Sequence, residues 1–247
     1  EVRSIARSRT LTALRTLDKT RKGILIGFLY ESGLINTQPI VKLKGADISN
    51  AGLRKANLSS ANVSRAILSK ADLNSARLME TDLSYTQLKK ATLVSAYLLS
   101  ANLTLASCEG ADFSKATLVN ANLDSAQMQR ANLASIHAVK ANLRSTQLEK
   151  AQLTNANLSE ANLMRANLEN ADLQGANLTG AILSGANFRN ANLKGAILDN
   201  ADLSFANLTN AKIKRTQLAK VKSLAVAIMM DGTLFEGEKH GKLTHGR

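Results

Sequence analysis

From Val41 to Lys220 one five-residue phrase repeats 36 times without an insertion or deletion, and nothing else constrains the fold of this chain as much. Ala56-Asn57-Leu58-Ser59-Ser60, Ala161-Asn162-Leu163-Met164-Arg165 and Ala176-Asn177-Leu178-Thr179-Gly180 are typical copies. The Leu position, called the centre, is Leu in 28 copies and otherwise Ile48, Val63, Cys108, Phe113, Met128, Ala138, Phe188 or Ile213. Two residues earlier the phrase carries Ala, except at Val41, Thr81, Thr86, Ile136, Thr146 and Thr216. The other three positions are mostly polar.

A helix cannot keep such a pattern on one side, because five residues at about 100° each advance it by roughly 140°. In extended backbone, residues two apart share a face, so the Ala and Leu positions point the same way and the next two residues turn a corner. Four units close a square coil of twenty residues. About nine stacked coils, at roughly 4.8 Å each, make a rod about 43 Å long. Each buried Leu contributes on the order of 1.5–3 kcal/mol, whereas ordering each residue's backbone costs about 1–2 kcal/mol. One phrase therefore cannot stand alone, and the two open ends of the stack need caps.

The phrase resembles the A(D/N)LXX signature of the pentapeptide-repeat family over about three quarters of the chain. The resemblance implies a right-handed quadrilateral β-helix, an all-β solenoid. Some members of that family inhibit or protect type II topoisomerases by mimicking DNA, and most have no assigned biochemical role. The segment Arg21-Lys22-Gly23-Ile24-Leu25-Ile26-Gly27-Phe28-Leu29-Tyr30-Glu31 also resembles a helical module that precedes the repeats in some cyanobacterial members.

Residues 1–38 are expected to form a helical N-terminal cap, 39–222 the β-helix, and 223–247 a C-terminal cap with a polar tail. In the first helix Ile5, Leu11, Leu14 and Leu17 recur at helical spacing. Asp18 reads as the N-cap of a second helix, with Ile24, Leu25, Phe28 and Leu29 as its apolar face and Ser32-Gly33 as its stop. These faces are expected to cover the first coil. After Lys220 the phrase breaks, since Ser223 falls where Leu is due. Val226 and Ile228 are expected in a last partial coil, Met230-Asp231-Gly232-Thr233 in a turn, and Leu234-Phe235 folding back. The family resemblance implies an alternative, a homodimer through this end, with Met229 and Phe235 as the contacts. Gly175, Gly180, Gly185 and Gly195 close their phrases where earlier copies carry Ser, Lys or Arg, which suggests a second type of turn.

The net charge of +13 is unevenly spread. Residues 1–45 hold nine Lys and Arg against three acids. Arg3, Arg7, Arg9, Arg15, Lys19, Arg21 and Lys22 form the candidate site for phosphate, acidic lipid or an acidic protein; solvated charge is the bland alternative. On the rod, Lys70, Lys90, Arg130 and Lys150 should stack in one column interrupted by Gly110. Acidic Glu109, Glu149 and Glu169 share that face, and stacking aromatics are missing from it, so nucleic acid is disfavoured as a partner. A second cluster, Lys212, Lys214, Arg215, Lys220 and Lys222, lies near the last coil.

Aromatics are only 3% of the chain, which suits a narrow aliphatic core. The single Cys108 occupies a centre position and reads as a small buried hydrophobe. No triad, phosphate loop or metal-ligand spacing converges, so the chain is read as no enzyme, with no cofactor and no metal. His137 sits in the irregular copy Ile136-His137-Ala138-Val139-Lys140, where large and small core residues have changed places and His137 points outward. His240 and His245 lie in the tail. No stretch reaches the roughly 18 apolar residues of a membrane span. The expected compartment is the cytoplasm, with an upstream targeting or membrane segment compatible with a chain that starts at Glu1.

The reading is a non-catalytic rod that binds a protein partner, with a basic cap. Docking of the N-terminal helices to an acidic membrane surface is one alternative. Topoisomerase modulation by DNA mimicry is the other, implied by the resemblance alone and opposed by a pI near 10.0.

Overall fold

The computed structural model describes residues 2–36 and 39–235. The sequence-based expectation of a polar tail, with His240 and His245, falls outside them.

Hydrogen bonding explains why the phrase has five residues. The centre N–H donates to the carbonyl nineteen residues on (Leu58 to Arg77, 2.8 Å), and so does that of the fifth residue (Ser60 to Met79, 2.8 Å). The second-position N–H donates back to the preceding coil (Arg77 to Ala56, 2.9 Å), and the Ala N–H closes the corner (Ala61 to Leu58, 3.0 Å). The one remaining N–H, on the fourth residue, is taken by the side chain of the second in copies that carry Asn or Asp there. Asn57 Oδ1 accepts from Ser59 N–H at 3.1 Å, Asp112 from Ser114 at 2.8 Å and Asn207 from Thr209 at 3.0 Å. The Asn/Asp preference thus satisfies a backbone donor that the corner would otherwise leave unpaired.

Second-position residues form parallel bridges twenty residues apart, in four columns that begin Asp47↔Ile67, Gly52↔Asp72, Asn57↔Arg77 and Asn62↔Asp82. The Ala and Leu positions are buried along nearly the whole stack and merge into one core with Phe113 and Phe188. Three Thr residues that replace Ala are buried but satisfied: Thr81 Oγ1 donates to Leu58 O (2.8 Å), Thr86 to Leu83 O (2.6 Å) and Thr146 to Leu143 O (2.7 Å). In the irregular copy, Ile136 and Ala138 are both buried and His137 is exposed.

The expectation of a second turn type is corrected. The fifth residue is left-handed from Gly45 to Asn210, with φ 59° at Lys150 and 57° at Ser60, against 69° at Gly175 and 66° at Gly180. One corner conformation serves both; Gly adopts it without strain, and the other residues bear a modest cost that the stack repays.

Two helices precede the rod, α1 (Val2–Thr16) and α2 (Lys19–Glu31). Asp18 is the N-cap of α2, accepting from Arg21 N–H at 2.8 Å, and Ser32 is its C-cap, followed by Gly33 at φ 69°. Their inward faces differ from expectation. Ile5, Ile24 and Phe28 face outward, Ile24 and Phe28 with 67% and 59% exposure. Leu14 and Leu29 are buried as expected, and Ile26 and Lys22 are buried beside them. The reason lies in the first coil, whose outer edge has no preceding coil to pair with. Lys22 Nζ donates to Ser49 O (2.9 Å), Arg7 donates to Lys42 O (3.2 Å) and Lys44 O (3.0 Å), and Gly52 N–H donates to Lys19 O (2.9 Å). A cap that feeds donors to edge carbonyls must turn its cations inward, so a purely apolar reading of α2 misplaces the face.

Near the other end, the expectation of an unbroken phrase to Lys220 is corrected. Lys212 pairs with Asn192, but a 3₁₀ turn (Arg215–Leu218) follows, and the next bridges, Asp202↔Ser223 and Asn207↔Ile228, are offset by one residue. The pattern resumes one step late: Val226 takes the left-handed corner (φ 56°) and Ala227 is buried. Ser223 is therefore a second-position residue, where a polar side chain belongs. The expected fold-back is present as an antiparallel Ile228↔Leu234 bridge with Gly232 at φ 83° in its turn.

Candidate interaction surfaces

Of the seven cationic residues singled out at the N-terminus, Arg3, Arg9, Arg15, Lys19 and Arg21 are exposed. Lys22 is buried at 6% exposure and, with Arg7, is committed to the edge carbonyls. Lys19 approaches Asp72 at 3.9 Å and Arg21 approaches Asp18 at 3.5 Å, both contacts being solvent-facing and weak. The cations therefore divide between sealing the rod and facing solvent. On the outer face of α2, Arg21, Ile24 and Phe28 follow one another at helical spacing.

Lys70, Lys90, Arg130 and Lys150 are exposed corner residues twenty positions apart or a multiple of it, and Lys90 lies against Gly110, which interrupts them. The column's charge is diluted: Lys89 pairs with Glu109 at 3.1 Å, and Glu149 accepts from Asn167 at 2.7 Å. Met229 and Phe235 are half-buried; Met229 packs on the core and its N–H donates to Thr233 O at 2.7 Å, while Phe235 N–H donates to Ala227 O at 2.7 Å. Both belong to the fold-back that covers the last coil.

One surface escaped the sequence reading. Met79, Leu99, Val119 and Val139 occupy the fourth position of phrases twenty residues apart, where other columns carry mostly Ser, Thr or charge and only scattered apolar residues such as Val94, Ala134 and Met164. Their phrases stack in register: Glu80 N–H donates to Leu99 O (2.9 Å), Ser100 to Val119 O (2.9 Å) and Asn120 to Val139 O (3.1 Å). Met79 and Leu99 are 39% and 40% exposed, Val119 and Val139 are half-buried, and Tyr97 stands exposed beside Leu99. Neither Ala96–Ser100 nor Ala116–Asn120 contains a charge. Sorting fourth positions by their remainder modulo twenty would have revealed the stripe.

Burial pushes the Cys108 thiol up to about 12, far from a nucleophile's range. Among the described residues no cluster of His, Cys, Asp and Glu could hold a metal ion, and no helix is long and apolar enough to cross a membrane.

This stacked architecture is the class that comparison with known proteins also finds. The family description "Pentapeptide repeats" matches in eight copies, over residues 41–74, 56–93, 101–144, 126–163, 146–185 and 186–222, and the chain belongs to that family. Membership implies the right-handed β-helix. HetL, a pentapeptide repeat protein involved in heterocyst differentiation regulation from the cyanobacterium Nostoc sp. strain PCC 7120, is 35% identical; the match covers 84% of this chain and 97% of HetL, with a TM-score of 0.49. A pentapeptide repeat protein from the Arabidopsis thaliana thylakoid lumen is 28% identical over 43% of this chain and 67% of its own, with a TM-score of 0.30. QnrB1, a plasmid-mediated fluoroquinolone resistance protein, is 17% identical over 70% and 85%, with a TM-score of 0.39. No curated protein matches the chain.

Proposed function

We propose that the chain is a non-catalytic docking rod: a helical cap (1–38), a four-sided β-helix of about nine coils (39–222) and a C-terminal cap with its tail (223–247), displaying a side-chain array to a protein partner. The observation that carries this reading is the uncharged stripe of Met79, Leu99, Val119 and Val139 with Tyr97 beside it. Protein contacts are centred on apolar and aromatic side chains depleted of charge, and a rigid β-face loses little conformational entropy when it binds. DNA mimicry needs an acidic surface, and a pI near 10.0 has the opposite sign. A second contact is supported by the cap, where Ile24 and Phe28 lie exposed beside Arg21, a mixed apolar and basic face suited to an acidic membrane or protein surface.

The test is capture of partners from source-cell lysate by the full chain, by Leu99→Glu/Val119→Glu, and by Arg21→Glu/Phe28→Ser, each first checked for native circular dichroism. A partner lost with the first variant and retained by the second supports docking on the stripe. Retention by the first variant removes the stripe as the site, and loss with the second alone moves it to the cap.

A further inference from the structure

We propose that the depression between Lys194 and Lys214 is a binding site for a small phosphate-type oxyanion, either inorganic phosphate or the phosphoryl group of a small metabolite. Along the rod, each fifth-position N–H is consumed by the next coil: Gly175 donates to Lys194 O at 3.0 Å and Gly185 to Ser204 O at 2.8 Å. Gly195 would donate to Lys214 O, but at Lys214 the chain leaves the stack for the 3₁₀ turn, and among the described residues no acceptor takes the Gly195 N–H. Two carbonyls beside it are taken by a side chain of the turn. Gln217 Nε2 donates to Leu193 O (2.8 Å) and Ala196 O (2.7 Å), and Gln217 Oε1 receives Lys214 N–H at 2.9 Å. The slip in register therefore leaves the Gly195 N–H without the carbonyl that the next coil would have supplied.

That surplus donor lines a depression of about 480 Å³ whose other walls are Lys194, Lys212, Ile213 and Lys214. Among the described residues none of these three lysines has a carboxylate within ion-pairing distance, and the nearby Asp199 is engaged by Lys220 at 3.6 Å. A hollow lined by three lysines and by the glycine whose N–H has no protein acceptor favours a compact multiply charged oxyanion over chloride, because such an ion can accept several charge-assisted hydrogen bonds at once.

The experiment follows the Gly195 amide by NMR in the isotopically labelled full chain, titrated with inorganic phosphate and, separately, glycerol 3-phosphate, at ionic strength held constant with sodium chloride. A saturable shift of Gly195 is expected, weakened about five-fold by Lys214→Gln or Lys212→Gln and unaffected by Lys90→Gln. Tighter binding of the ester assigns the site to a metabolite's phosphoryl group; equal binding assigns it to phosphate itself. A Gly195 amide that does not move, a shift that sodium chloride reproduces, or affinity unchanged in both lysine variants overturns the proposal.

Discussion

Asp202 illustrates what one second-position side chain does. Its Oδ1 accepts from the Ser204 hydroxyl at 2.6 Å and the Ser204 N–H at 3.0 Å, and these bonds, the hydroxyl's foremost, hold its carboxyl below the usual carboxylate range. A carboxyl depressed in the folded state stabilises the fold above its unfolded pKa, and that contribution disappears as pH falls through the folded value. Asp202→Asn keeps an acceptor and removes the titration. Thermal unfolding followed from pH 7 to 2 should therefore show the wild type losing more stability than Asp202→Asn below about pH 4. Equal losses would mean that the bond contributes nothing beyond what the amide supplies. At this scale the alternation of Ala and Leu was fully legible, because burial leaves its mark as composition. The role of Asn and Asp was not, since a polar residue at an outward position looks like solvation until every N–H of the phrase is assigned a partner. The corners hid for a similar reason: Lys150 and Gly175 share one conformation although their residue types suggest two.

Between helix and rod, the decisive contact is a backbone approach. A Cβ on Gly23 would run into the Gly52 carbonyl, whereas one on Gly27 would meet nothing within 4 Å. Gly23→Ala is expected to push α2 off the first coil, lowering the thermal midpoint and accelerating hydrogen exchange at Leu53 and Ala56. Gly27→Ala is expected to leave exchange unchanged and to stabilise by about 0.5–1 kcal/mol through helix propensity. Equal behaviour of the two variants would show that α2 does not hold the end closed. The sequence placed α2, its cap at Asp18 and its stop at Ser32 correctly, because capping chemistry is local. It misjudged part of the face that turns inward, since Lys22 is drawn in by the Ser49 carbonyl, which no periodicity within the helix can report. The 3₁₀ turn was invisible for the complementary reason: Thr216-Gln217-Leu218 imitates the phrase, Leu218 is buried as a centre residue would be, and only the change in bridge offset exposes the slip.

For the whole molecule, the twenty-residue register decides which side chains become neighbours. The Lys70, Lys90, Arg130 and Lys150 column could be drawn from the sequence, and so could the stripe from Met79 to Val139, although its ability to bind cannot be read from spacing. Because every phrase makes the same bonds, excising residues 101–105 should leave a folded rod while moving Val119 and Val139 to the face next to that of Met79 and Leu99. Excising the full coil 141–160 should leave all four aligned. Circular dichroism should report β-structure in both deletions; partner capture should fail in the first and survive in the second. Capture by both would mean that the aligned stripe is not what the partner reads. Such a rod behaves like a combination dial with four settings. Each phrase gained or lost in its history clicks everything downstream through a quarter turn, so a new surface can be composed from old residues without changing any one of them.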